Sequence, residues 1–381
     1  MASIVTTEET LDSKNLADGQ DGILRRASVG EYTFETGGYL PRIELAYESW
    51  GQLNADGSNA VLVMHALTGD AHVSQGDSQT PGWWEDFVGP GLTVDTDNYF
   101  VLAINIIGGC NGSTGPGSLD EHGEAWGSRF PFVTIKDSVR LEARLADLLG
   151  VHTWHTVIGG SMGGARALEW AVEFPERVKN VVVMASSAQA TAEQIAFAQV
   201  QTEAIRLDPN FAQGDYYANG VRPDAGLGLA RRLAHITYRS EVELETRFAR
   251  KPQPGEQPLD TSEGARGRYQ VESYLDHQAT KLVHRFDANS YLVITEALMS
   301  HDVARGYDSL RDALARLAKV NVVVAAVSSD RLYFPAQSEL LAASLPKPKP
   351  VHYIDSPIGH DGFLTDAKQL DPVLQALVFD D

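Results

Sequence analysis

Only one cysteine, Cys110, occurs in 381 residues, so no disulfide can form within the chain and no cysteine-based zinc site can be built. Positive charge is also scarce: 31 Lys and Arg stand against 51 Asp and Glu, a formal net charge of −20 that repels nucleic acid and anionic membranes in general. A local basic pocket for an anionic cofactor is compatible with that total. No apolar run approaches the roughly 18 to 20 residues that cross a bilayer, and Met1 to Asn15 has neither a basic start nor an apolar stretch, so neither a membrane span nor a secretory signal is indicated. Repeats and low-complexity tracts are missing too. With 43% hydrophobic and 22% charged residues, what remains is an ordinary globular composition. A reducing cytoplasm fits it best, and residues 1–20 read as a polar leader.

The length accommodates one large α/β domain with an insertion, or two ordinary domains. From Arg42, apolar Ile43, Leu45 and Tyr47 alternate with Glu44, Ala46 and Glu48, as in a half-exposed strand near a sheet edge. Residues 60–64 (AVLVM) and 99–104 (YFVLAI) are instead continuous apolar runs, expected of strands covered on both faces of a parallel sheet. Ile135 to Leu149 has a helical rhythm ended by Gly150. Thr156 to Ile158 then reads as a strand, 159–164 as a glycine-rich turn, and the following residues as a helix that Pro175 stops. Val181 to Met184 is the next strand. Between about Ser187 and Asp308 such runs vanish, and helical spacings surround a polar stretch from Lys251 to Gly267. Asn321 to Val327 (NVVVAAV) and Pro350 to Ile354 restore the sheet, and a helix near Asp371 to Val378 closes the chain. The expectation is a mostly parallel sheet flanked by helices, formed by 21–186 and 309–381, with a helical lid inserted at 187–308.

Gly159-Gly160-Ser161-Met162-Gly163 matches G-x-S-x-G, a strained strand-to-helix turn that exposes a serine nucleophile. A phosphate-cradling loop would want a lysine after the glycines, and none is there. A serine hydroxyl needs a histidine to take its proton and a carboxylate to fix the imidazole tautomer. In the α/β-hydrolase fold these partners follow in the order Asp or Glu, then His, on loops at the carboxyl ends of strands. Asp330, three residues after NVVVAAV, and His360, in the loop after the penultimate or last strand, satisfy both order and placement. The oxyanion of a tetrahedral intermediate needs two N–H donors. Met162, after the nucleophile, and Leu67, in the loop 65–70 (HALTGD), are the candidates. His152 and His155 have metal-ligand spacing but no carboxylate companions; two ligands fall short of a zinc site, and no metal is expected.

These motifs resemble the homoserine O-acetyltransferases, the branch of the α/β-hydrolase fold that acylates homoserine on the way to methionine. The resemblance rests on HALTGD (65–70), NIIGGCNGSTGPGS (105–118), WGSRFP (126–131), GGSMGGARALEW (159–170), ARRLAHITYR (230–239), SYLDHQATKLVHRFDANSYL (273–292), SSDRLY (328–333) and GHDGFL (359–364), and it runs from about residue 25 to the end. It implies a ping-pong reaction with acetyl-CoA as co-substrate and no permanently bound cofactor. The acetyl group would pass through Ser161 to the γ-hydroxyl of L-homoserine. It further implies that Arg231 pairs with the substrate carboxylate and Asp361 with its ammonium, that Thr68 and Tyr238 line the pocket, and that the enzyme is a homodimer joined through the lid. Water near 55 M competes with a millimolar acceptor, so positioning must supply roughly 10⁴- to 10⁵-fold discrimination, about 6 kcal/mol; a lid that excludes water suits that need. Three alternatives stay open: a succinyl donor or serine acceptor on the same design, a serine esterase or thioesterase, and a hydrolase-fold binding protein without catalysis. The segment Asn105 to Ser118 and Arg166 suggest no role.

Overall fold

The computed structural model describes residues 20–261 and 266–379; nearly all of the expected polar leader lies outside them. The main sheet comprises β1 (Arg25–Thr33), β2 (Tyr39–Trp50), β3 (Ala60–Met64), β6 (Phe100–Ile104), β7 (Trp154–Gly160), β8 (Val178–Met184), β9 (Asn321–Val327) and β10 (Val351–Ile354), while β4 (Val88–Gly89) and β5 (Val94–Asp95) form a separate two-residue pair. Spatial order in the sheet is β1-β2-β6-β3-β7-β8-β9-β10. Pairs β1·β2 and β2·β6 are antiparallel, and the remaining neighbours run parallel.

The alternation from Arg42 marks β2, one strand in from the edge of the sheet. Strand β1 covers it, and two register irregularities, between Ser28 and Gly30 and between Gly30 and Tyr32, break the period-two pattern of β1. Exposure is confined to the first half of β2; every residue from Leu45 to Trp50 is buried.

Continuous apolar runs in the central strands have two buried faces to fill. On β3, Leu62 and Met64 point into a core shared with α1 (Ile135–Leu148) and α2 (Met162–Glu173), whereas Val61 and Val63 pack with Phe363, Leu374 and Val378 of the C-terminal segment. Each such side chain contributes about 1.5–3 kcal/mol by leaving water. Thr134 caps α1: its hydroxyl accepts the Asp137 N–H while the Asp137 carboxylate accepts the Thr134 N–H, a reciprocal box that satisfies two otherwise unpaired donors.

Between Ala190 and His301 the described residues form α3 (Ala192–Arg206), α4 (Asp224–Tyr238), α5 (Glu241–Arg247), α6 (Gln270–Val283) and α7 (Ala288–Met299), and none of them joins the sheet. The chain enters and leaves this insertion through one narrow neck. There the Ala190 N–H donates to the His301 carbonyl and the Val303 N–H to the Ala188 carbonyl, both at 2.9 Å.

Candidate active site

Strand β7 delivers Ser161 at its carboxyl end and α2 begins at the next residue. Ser161 has φ 58° and ψ −126°, a conformation that costs a residue with a Cβ on the order of 1–3 kcal/mol. Surrounding bonds hold it there: the Ser161 N–H donates to the Met184 carbonyl at 3.0 Å, and the Ser186 hydroxyl donates to the Ser161 carbonyl at 2.8 Å. Gly163 lets α2 press against the end of β3, since a Cβ at that position would run into the Met64 carbonyl.

His360 Nε2 lies 2.8 Å from Ser161 Oγ and His360 Nδ1 lies 2.6 Å from Asp330 Oδ2. Asp330, in the turn after β9, accepts the Leu332 and Tyr333 N–H groups on its other oxygen at 2.8 and 2.9 Å, so its carboxylate is fixed in orientation. All three residues are buried. Burial opposes protonation of His360, but the charge of Asp330 and its hydrogen bond outweigh that and raise the imidazole pKa above its ordinary value. Tyr333 stacks on the imidazole with ring centres 5.2 Å apart. Asp330, His360 and Ser161 thus form one unbroken relay.

The Met162 N–H is the first of α2, among the four that a helix leaves without an internal partner. The facing loop, 65–70, holds half-buried Leu67 and Thr68. Its shape depends on His65, whose Nδ1–H donates to the Ala66 carbonyl at 2.8 Å while Nε2 accepts the Ile106 N–H at 3.1 Å. Burial, with the nearby Arg166 charge, pushes the His65 pKa down to about 3, which keeps this imidazole neutral. Further along, Asp70 accepts the His72 N–H and the Asn111 side-chain N–H, each at 3.1 Å.

The remaining candidates gather above the relay. Arg231 Nη1 donates to Thr68 Oγ1 at 3.3 Å, its guanidinium sits 5.7 Å from the Tyr238 ring centre, and that ring is 5.9 Å from the His360 imidazole. Among the described residues, the buried Nε of Arg231 has no hydrogen-bond partner. Asp361 Oδ2 lies 3.2 Å from Arg239 Nη2; burial raises its pKa, against the lowering effect first of Arg239 and then of His360 and Arg231.

Several residues escape the sequence pattern. Arg285, in the turn after α6, donates to the Thr68 carbonyl at 2.8 Å, so two arginines embrace one threonine. Arg166 is fully buried and pairs with Glu142, which also accepts Trp170 Nε1–H at 2.9 Å; the pair ties α2 to α1. Asn105 to Ser118 folds back along β2: Ser113 Oγ accepts the Ala46 N–H and Thr114 Oγ1 the Glu44 N–H, both at 2.9 Å. His155 is buried beside Thr156 Oγ1 at 2.9 Å and His152 is exposed. Among the described residues no three His, Cys, Asp or Glu side chains gather as metal ligands would, and no helix is long and apolar enough to cross a membrane.

A family model described as the α/β hydrolase fold matches residues 59–367, and with the sheet order and the strained serine turn this makes the chain an α/β hydrolase by fold. Among curated proteins it is 53% identical over 348 residues to the homoserine O-acetyltransferase of Thermobifida fusca, covering 90% of each chain. Among solved structures it matches a homoserine O-acetyltransferase from Bacillus anthracis with a TM-score of 0.83 and 27% identity over 93% of this chain and 98% of that one. An acetylester hydrolase from Corynebacterium glutamicum matches with a TM-score of 0.77 and 27% identity, covering 94% and 97%. The chain belongs to the homoserine O-acetyltransferase family.

Proposed function

We propose that the chain transfers the acetyl group of acetyl-CoA to L-homoserine, with Ser161 as the group's carrier. The observation that carries the mechanism is the Ser161–His360–Asp330 relay at 2.8 and 2.6 Å. Ser161 Oγ attacks the thioester carbonyl as His360 Nε2 takes its proton; the oxyanion is met by the Met162 and Leu67 N–H groups. Collapse breaks the C–S bond, His360 returns the proton to the departing CoA sulfur, and acetyl-Ser161 remains. In the second half, His360 takes the proton of the homoserine γ-hydroxyl, which attacks the acetyl carbon, and the proton passes back to Ser161 as O-acetyl-L-homoserine leaves. Asp330 holds the Nδ1–H tautomer throughout and stabilises the transient imidazolium.

In this reading Arg231 meets the homoserine carboxylate and Asp361 its ammonium, with Thr68 and Tyr238 as walls. The unpartnered Arg231 Nε supports that role, because a buried donor left open is costly unless a ligand completes it. Residues 187–308 act as a lid that keeps water from the acetyl-serine. No metal or permanently bound cofactor takes part, the compartment is the cytoplasm, and the active form is a homodimer. Apolar side chains exposed on the paired helices α3 and α4, among them Val200 and Leu229, and at Leu207 just past α3, support the dimer.

Free-thiol release from acetyl-CoA tests the proposal, measured with unaltered and Ser161→Ala protein, with and without L-homoserine, and again with succinyl-CoA and L-serine. Release that needs homoserine and Ser161 and favours acetyl-CoA is expected. Steady release without acceptor would make water the acceptor and place this chain with acetylester hydrolases.

A further inference from the structure

The insertion is stitched to the loop that carries His360. Arg239, the residue after α4, forms an isolated antiparallel bridge with Gly359; the Ser240 N–H donates to the Ile358 carbonyl at 3.0 Å, and the Ser240 hydroxyl donates to the Pro357 carbonyl. Only a glycine admits so close an approach, because at φ 98° a Cβ on Gly359 would lie 2.6 Å from both Ser240 N and the Tyr238 carbonyl.

The Arg239 side chain extends this seam into the site. Its Nη2 sits 3.2 Å from Asp361 Oδ2 and its Nη1 3.7 Å from Glu243 Oε1, and its side chain is 17% exposed. Arg239 makes its shortest approach at Oδ2, and among the described residues no donor hydrogen-bonds Asp361 Oδ1. Arg247 Nη1 also lies 3.4 Å from Glu243 Oε1, so Glu243 is shared while Arg231 and Arg239 both act on Asp361. An α-amino acid adds one charge of each sign.

We propose that Arg239 is a positioning and specificity residue of the acceptor site: by engaging Asp361 Oδ2 from one side it leaves Oδ1 to the ammonium of the acceptor, next to His360. The inference rests on the acceptor reading above. Arg239 is more than a spare cation, since of the groups acting on Asp361 (Arg239 and Arg231 from the insertion, His360 beside it, Asp330 after β9) it is the one that most opposes the effect of burial. On its own far side it meets Glu243 and lies near His235 and Tyr274. Removing Arg239 lets Asp361 take up a proton at higher pH, and an uncharged carboxyl no longer attracts an ammonium.

Arg239→Gln and Arg239→Lys test this with two acceptors, L-homoserine and 4-hydroxybutyrate, which keeps the hydroxyl and carboxylate but lacks the amino group. For Arg239→Gln, kcat/KM for homoserine falls about 10- to 100-fold, the scale of one charge-assisted contact. The acceptor-independent burst of CoA and turnover of 4-hydroxybutyrate stay within about threefold. The acid limb of the homoserine profile moves to higher pH, and Arg239→Lys recovers part of the loss. Equal loss with both acceptors and in the burst would mean that Arg239 only supports the His360 loop and would overturn the proposal, as would an unchanged homoserine kcat/KM. Absence of a burst in the unaltered protein would instead sink the acetyl-serine reading itself.

Discussion

At the scale of single residues, the short contacts of His360 carry the strongest expectations. Ser161→Ala removes the hydroxyl proposed to carry the acetyl group and is expected to lower homoserine-dependent thiol release by at least about 10³-fold, with the far-UV spectrum unchanged. His360 acts as a base only when neutral, and Asp330 raises its pKa, so the burst rate falls as pH drops through a value above the usual 6.5 or so for imidazole. Asp330→Asn withdraws that charge. The acid limb of the burst then moves to lower pH, while the rate on the plateau drops about 10³- to 10⁴-fold because the tautomer is no longer held. Pre-steady-state thiol release across pH reads both effects; an acid limb that stays in place would show that Asp330 does not govern the imidazole.

Among elements, the buried Arg166–Glu142 pair joins the helix behind the nucleophile to its neighbour. Glu142→Gln leaves a guanidinium without its counter-charge in a fully enclosed position, and the expected cost is about 3–5 kcal/mol, read as a lower midpoint in urea unfolding with an unchanged slope. This pair also shows what the sequence conceals. Glu142 and Arg166 lie on different helices, and no periodicity announces that two charges face inward toward each other. The neutral His65 and the embrace of Thr68 by Arg285 are hidden for the same reason. Strand β1 is obscured by its two irregularities, which break the alternation that made β2 visible. By contrast, β3, β6 and β9 declare themselves because a strand buried on both faces has to be apolar throughout. Ser161 is legible because its turn tolerates so few residues around it, and Asp330 and His360 follow from the chemistry a serine demands. Arg231, Asp361, Tyr238 and Thr68 come from the family resemblance alone, since composition and spacing say nothing of an amino-acid acceptor.

For the molecule as a whole, the proposed homodimer sets exposed apolar side chains on α3 and α4 against a net charge of −20, so association through the insertion requires local burial to win over general repulsion. Sedimentation equilibrium is expected to give about twice the 41.4 kDa mass of one chain. Leu229→Glu, at a position 55% exposed in the single chain, is expected to shift the mass toward the monomer by placing like charges across the interface. A dimer that survives the change would locate the contact elsewhere.

The neck formed by Ala188 to Ala190 and His301 to Val303 has a bearing on how such proteins can diversify. Because the chain leaves the sheet domain and returns to it at adjacent points, everything between is topologically a cassette, which genetic exchange can replace without rethreading a strand. The serine relay, all of it outside that cassette, would come through the swap unaltered. A graft carrying the corresponding helices of an acetylester hydrolase would then keep the proposed acetyl-serine and change only what is allowed to collect it.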